Sequence, residues 1–368
     1  MTTFWHDLPQ PFFRLAPMEA ATDVVFRHVV AAAAPPDVWF TEFTNATGWA
    51  HAGDKAIGGR LVKTDDEHPI VAQLWGSDPA SMEKLAGHCA SLGYDGIDIN
   101  MGCPDQSAIK SGGGAGMILN PENAAAIIAA AKTSGLPVSV KTRLGYSKID
   151  EYTDWIGHTL HQDIVNFTIH LRTKKEMSKV PAHYELIPEI KKLRDEIAPQ
   201  TLLTINGDIR DRQHGIELVK QYGVDGVMIG RGIFANPFAF AAQGSRTAPA
   251  RVADDGAAPA FDKISDFSKE GADRLTGPES SDLREFTNDG SGTNKHIQKR
   301  IELLHLQLDL YDKYHNQTGR PFETLKRFFK IYIRDFAGAS ELRDQLMHAK
   351  STNEVRELLT SWTPAASL

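Results

Sequence analysis

The sequence predicts an α/β protein: a (β/α)8 TIM barrel followed by a small C-terminal all-helical domain. Three observations carry that expectation. Over positions 1–243, short β-branched runs alternate with alanine-rich amphipathic stretches. The centres of these runs (IVAQL, GIDIN, VSVK, TIH, LLTIN, GVMIG) are almost wholly apolar, as parallel strands buried on both faces require. Finally, eight such runs fit the ~250 residues that one barrel fills. The alternative, an open doubly wound sheet, would usually show fewer strands and a GxGxxG turn after the first.

Taken in order, the expected strands are 12–17, 39–43, 69–75, 96–101, 137–144, 166–171, 201–207 and 226–231. Helical stretches follow at 23–33, 78–92, 121–134, 151–162, 183–197 and 210–222. Several open with Asp, Ser or Pro, and Gly93, Gly135 and Gly223 close three of them, as helix ends tend to do. Residues 44–68 are polar and glycine-bearing and are expected as a long loop. Residues 244–294, rich in Gly, Ser, Ala, Pro and Asp, read as a flexible insertion or linker. Helical periodicity returns over 295–362. Ile297, Ile301, Leu304, Leu308 and Tyr311 form one stripe; Leu325, Phe328, Phe329, Tyr332 and Ile333 form a second. Leu342 and Leu346, then Val355, Leu358 and Leu359, mark two shorter helices.

Composition narrows the function classes. With 41% hydrophobic and 24% charged residues, the chain can bury a core, which excludes general disorder. No apolar run approaches the ~18–20 residues of a membrane helix. The opening MTTFWHDLPQPFF has neither the basic nor the apolar region of a secretory signal, so the cytoplasm is the expected compartment. Two cysteines, Cys89 and Cys103, exclude a disulfide framework and a cysteine-based zinc site. No His/Asp/Glu set has ligand spacing, so no metal is expected. The net charge of −7 weighs against nucleic acid, but residues 295–368 are basic, with 12 Lys and Arg against 9 Asp and Glu.

Barrel function sits at the C-terminal strand ends, and the polar residues gather there. Asn206-Gly207-Asp208 and Gly230-Arg231-Gly232 end strands seven and eight, where barrels commonly bind phosphate. Glycine admits close backbone approach and Arg231 adds charge; otherwise these glycines merely turn the chain. Lys141 ends an apolar strand, so it pairs, binds an anion or reaches solvent past the rim. Gln73, inside IVAQLW, needs hydrogen-bond partners, structural or ligand. His170 ends strand six near Lys141 and Arg143. Cys103 follows strand four, ahead of the glycine-rich run 112–116, and can be an acid, a nucleophile or an inert thiol. Cys89 reads as core.

These motifs, in this order, resemble the tRNA-dihydrouridine synthase family. The resemblance rests on Ala16-Pro17-Met18, the DINMGCP segment ending at Cys103-Pro104, the glycine run, and VKTRLG around Lys141 and Arg143. It continues through IHLRT around His170 and Arg172, NGDI at Asn206 and MIGRG at Arg231. It covers about residues 12–240, with weaker agreement in 322–359. The resemblance implies an FMN-dependent enzyme, re-reduced by NADPH, that adds hydride to C6 of a uridine in tRNA while Cys103 protonates C5. It implies FMN contacts from Ala16, Pro17, Met18, Gln73, Lys141 and His170, with Asn206, Gly207, Asp208, Gly230 and Arg231 at the phosphate. It further implies uracil or RNA contacts from Asn100, Arg143 and Arg172. No protein partner is expected. The family's usual glycine after the strand-six histidine is Leu171 here, which implies altered backbone approach at that tip. Given the overall acidity, tRNA affinity is expected from local patches: Lys174, Lys175 and Lys179, with Lys299, Arg300, Arg320, Lys326, Arg327, Lys330 and Arg334. Two other readings compete. One is an FMN barrel reductase of a small pyrimidine or enone. The other is a tRNA-binding protein that has lost its chemistry.

Overall fold

The computed structural model describes residues 3–242 and 290–362. Its strands are β1 (Phe12–Leu15), β2 (Trp39–Phe40), β3 (Thr44–Asn45), β4 (Ile70–Trp75), β5 (Gly96–Met101), β6 (Val138–Arg143), β7 (Asn166–His170), β8 (Leu202–Asn206) and β9 (Gly226–Ile229). All strand pairings among the described residues are parallel. β2 pairs with β4, each later strand with its successor, and β9 returns to β1 through Leu15 opposite Ile229. A bridge from Arg14 to Val38 links β1 to the start of β2 and completes the ring. The eight expected strands are all present. The second is short, and β3 continues its path along β4.

The six expected barrel helices form as Val24–Ala33, Pro79–Ser91, Pro121–Lys132, Tyr152–Leu160, Ile187–Ile197 and Arg212–Tyr222. Their starts are chemically marked. The side chains of Asp23, Asp78, Asn120 and Asp211 each accept a first-turn backbone N–H, and Pro79 and Pro121 occupy the first turn. Gly223 closes its helix with φ +66°, a conformation that glycine adopts without strain. Cys89 is fully buried in the Pro79–Ser91 helix, as expected. The 44–68 segment departs from the expected loop by containing the helices Ala46–Ala52 and Asp54–Ile57. A local cap, a local side-chain bond and one tertiary stack supply what its propensity lacks. Asn45 caps Gly48 at 3.0 Å, Trp49 stacks on His88 of the neighbouring helix, and its Nε1 donates to Asp54 at 2.8 Å.

Strand alternation divides the barrel residues into two sets. Phe13, Leu15, Ala72, Leu74, Ile97, Ile99 and Val140 face the helices and belong to the main core. The inward set is unusually polar above a hydrophobic floor. Trp5, Phe12, Val38, Phe40, Val71 and Leu202 close the lower end. Arg14 lies on that floor, its guanidinium 5.0 Å from the Phe40 ring centre and 5.4 Å from that of Trp5.

The C-terminal helices are Gly290–Thr318, Lys326–Tyr332, Ala339–His348 and Thr352–Ser361. Both expected stripes face inward, with only Ile297 and Ile301 partly exposed, and the apolar positions of the two shorter helices are buried except for the partly exposed Leu358. The segment expected as an insertion lies largely outside the described residues, although the long helix already includes Gly290. The helical part shares the barrel's core. Phe26 stacks between Phe234 and Phe328, with ring centres 5.9 and 4.8 Å away. Polar ties reinforce the junction. Arg320 pairs with the fully buried Glu42 at 2.6 Å, and Arg327 donates to the Ala20 carbonyl at 2.9 Å. Arg300 and Arg334 both pair with Asp335. Four arginines of the expected RNA-facing patch are therefore engaged within the protein: Arg300, Arg320 and Arg327 reach partners distant in sequence, and Arg334 donates to the Ala235 carbonyl at 3.4 Å besides its neighbour Asp335. Lys299 is exposed, and Lys326 and Lys330 are partly so.

Candidate active site

Sheet register assembles the site. Gln73 lies opposite Asp98, Asn100 opposite Lys141, Arg143 opposite His170, and His170 opposite Asn206. Residues far apart in sequence thereby meet toward the C-terminal ends of the strands, where a barrel places its chemistry, with the Gln73–Asp98 pair lower in the barrel.

Asn100 shapes the Cys103 turn. Its Oδ1 accepts the backbone N–H groups of Gly102 at 3.1 Å and Cys103 at 2.9 Å. The Cys103 carbonyl accepts from Ala115 N at 2.9 Å. The glycine run packs beneath this turn. A Cβ on Gly114 would stand 2.8 Å from the Cys103 carbonyl oxygen, and one on Gly113 would stand 2.8 Å from the Trp75 ring. Cys103 remains partly exposed, and its enclosed setting pushes the thiol pKa up, with Asp105 and Arg143 acting in opposite directions. It is a protonated thiol at neutral pH.

Positive charge surrounds the mouth. Lys141 points inward, since its strand neighbours Val140 and Thr142 face the outer core and Trp155. Among the described residues no hydrogen bond or ion pair within 4 Å engages its ammonium. Burial, then Arg143, pulls its pKa down to about 8, against the opposing pull of Asp98. His170 is held well below its ordinary value by burial and by Arg143, Lys141, Arg172 and Arg231. Its Nε2 lies 3.2 Å from Arg172, which can only donate, so Nδ1 carries the proton of the neutral ring.

The remaining expected residues frame this cluster. Arg143 donates to the carbonyls of Gly102 at 2.7 Å, Thr173 at 3.2 Å and Met177 at 3.1 Å, bracing the Cys103 turn against the 173–177 loop. Arg172 is 2% exposed; it donates to the Val180 carbonyl and pairs with Asp208. Asp208 also accepts from Ala182 N and faces Arg231 at 3.5 Å. Asn206 ties β8 to β9 by donating to the Met228 carbonyl at 2.9 Å. Ala16 donates its N–H to Ile229 at 2.8 Å, Pro17 is buried, and Met18 closes a turn with Ala21 and Thr22. Gly230 leaves its side open, since a Cβ there would meet Ala16 only at 3.7 Å. The Leu171 side chain is fully buried in the outer core rather than at the mouth.

Gly207 has φ +126°, and a Cβ would lie 3.0 Å from Ala182 Cβ and 3.4 Å from His170. Gly207→Ala is therefore expected to cost about 1–3 kcal/mol from backbone strain alone. Its urea midpoint should fall with unchanged slope, and an unmoved midpoint would show that glycine is not required there.

Arg14 and Asp98 are the inward charges that the strand-end reading passed over. Asp98 is fully buried and accepts from Gln73 at 2.7 Å and Ser139 at 2.6 Å. Their signal was present in the sequence: each is a charge at an inward position of a buried strand.

Residues 14–269 match the family model described as dihydrouridine synthase. A Bacillus subtilis (strain 168) protein named "Probable tRNA-dihydrouridine synthase 2" is 52% identical over 357 residues, covering 97% of this chain and 95% of that protein. A Staphylococcus epidermidis protein named "Probable tRNA-dihydrouridine synthase" is 51% identical over 361 residues, covering 98% of this chain and 96% of its own.

Proposed function

Since the chain belongs to the dihydrouridine synthase family, we propose that it reduces the C5–C6 double bond of a specific uridine in tRNA, with FMN in the barrel mouth and NADPH as reductant. The observation that carries this reading is Lys141, an inward ammonium that no hydrogen bond or ion pair within 4 Å engages among the described residues, set among arginines where an anion fits. The residues fit an anionic flavin. Lys141 and the Nδ1–H of His170 would hold the polar edge of the ring. Gly207, Gly230 and Arg231 would receive the phosphate, with Asp208 facing Arg231 at 3.5 Å. Ala16, Pro17 and Met18 form the adjoining wall.

When bound, reduced FMN supplies the hydride that adds to C6. The Cys103 thiol supplies the proton to C5, so the base gains two hydrogens and the thiolate recovers its proton from solvent. A pKa above the ordinary thiol range suits an acid, since the proton is present at neutral pH. Asn100 and Arg143 hold the turn that carries Cys103, while Gln73 and Arg172 brace the wall. The target base leaves its stack to reach the mouth. Lys175 and Lys179 are exposed beyond β7, and Lys174 lies 4.9 Å over the Tyr146 ring, so the RNA backbone is met beside the mouth. No helix among the described residues is long and apolar enough to cross a membrane, and a cytoplasmic setting suits a reduced thiol and a tRNA substrate.

The test is a visible absorption spectrum of the purified protein, then NADPH oxidation with and without unmodified tRNA. Flavin bands and tRNA-dependent turnover are expected. Turnover with small pyrimidines and no tRNA dependence would favour the small-molecule reductase, a reading supported by the arginines engaged at the domain junction. Absence of flavin after FMN addition would sink both.

A further inference from the structure

The polar interior of the barrel holds an acid that the chemistry above does not use. Asp98 lies mid-β5, fully buried, below the level of Lys141. A hydrogen-bond chain runs from it to the backbone of the reacting thiol. Gln73 Nε2 donates to Asp98 Oδ2 at 2.7 Å, and Asn100 Nδ2 donates to Gln73 Oε1 at 3.0 Å. Asn100 Oδ1 then accepts both turn amides, Gly102 at 3.1 Å and Cys103 at 2.9 Å. Ser139 donates to the other carboxylate oxygen at 2.6 Å.

The direction of this chain matters. An amide side chain can present oxygen or nitrogen by a half-turn, and nothing within Gln73 or Asn100 chooses between them. Burial pushes the Asp98 pKa up; with Ser139 donating to one oxygen and Gln73 to the other, Asp98 holds the nitrogen of Gln73 toward itself. That leaves the Gln73 oxygen for Asn100, and the Asn100 oxygen for the Cys103 turn. Arg14 and Lys141 supply the compensating positive charge that a buried carboxylate needs. We infer that Asp98 is a positioning residue for protonation: through Gln73 and Asn100 it sets the orientation of the turn that carries Cys103. This inference rests on the function proposed above.

The test compares Asp98→Ala with Asp98→Asn. The asparagine can still accept from Gln73; the alanine cannot. The first readout is the rate at which iodoacetamide alkylates Cys103 in the purified protein without tRNA; Cys89 is buried and serves as the unreactive reference. Losing a buried acceptor is expected to raise that rate about tenfold in Asp98→Ala. The same variant should lose about 10- to 100-fold in kcat for dihydrouridine formation, with KM for tRNA nearly unchanged. Asp98→Asn should keep most of both values. A folded Asp98→Ala with wild-type alkylation overturns the inference. So does Asp98→Asn as impaired as Asp98→Ala, since charge alone would then matter. If Asp98→Ala does not fold, Gln73→Met interrupts the same chain, and unchanged alkylation there overturns it equally. Wild-type protein that makes no dihydrouridine would sink the functional reading, while the alkylation comparison still judges the chain.

Discussion

Cys103→Ala is expected to lower dihydrouridine formation by about 10²- to 10⁴-fold, the usual loss when a positioned general acid is removed. Flavin and tRNA binding should survive. The contacts that hold this turn are backbone ones, Cys103 N to Asn100 and Cys103 O from Ala115, so removing the sulfur leaves its scaffold in place. Cys103→Ser keeps a hydroxyl proton of much weaker acidity and should recover little. The pH dependence has a definite sign. The acid works while protonated, so activity is lost as pH rises through the thiol pKa. That loss should fall above the ordinary thiol range, because burial raises the value. Mass spectrometry of nucleosides from treated tRNA reads the product directly. A variant without the thiol that turns over at the wild-type rate would remove Cys103 from the chemistry.

Glu42→Ala is expected to destabilise the protein by about 3–5 kcal/mol, the cost of leaving a buried ion without its partner. Glu42 is fully buried and accepts from Arg320 at 2.6 Å and from Ala21 N at 3.1 Å. Removing it strands Arg320, whose side chain is 9% exposed, at the seam between barrel and helices. Glu42→Gln keeps an acceptor and should cost less. A second signature comes from Asp23, whose pKa burial and then Glu42 raise to about 6. The folded state thus binds the Asp23 proton more tightly than the unfolded chain. Its favourable contribution is fully present below about pH 4 and is lost as pH rises through about 6. Without Glu42 that pH dependence should become shallower. Urea unfolding across this pH range measures both effects, and an unchanged midpoint for Glu42→Ala would show that the pair does not fasten the seam.

The alternation of apolar runs and capped helices makes the barrel legible in the linear chain, because periods of two and 3.6 residues are local properties. The strand-end position of Lys141, His170, Asn206 and Cys103 follows from the same local pattern. The 44–68 helices were not legible, since Trp49 gains its stacking partner only from His88, distant in sequence.

What each polar side chain does at the mouth was decided by the fold alone. Asn100 and Arg143 hold the Cys103 turn, Arg172 is paired with Asp208, and Arg320 and Arg327, expected on an RNA surface, fasten the helical part. A donor's role is set by whichever acceptor lies within about 3 Å, and here that acceptor comes from another strand or helix. Local patterning alone marks out the barrel, the helices that follow it and the level at which polar residues gather. The closed sheet, by fixing register between strands distant in sequence, settles which of those charges are internally satisfied and leaves Lys141 at the mouth with no ion pair within 4 Å among the described residues.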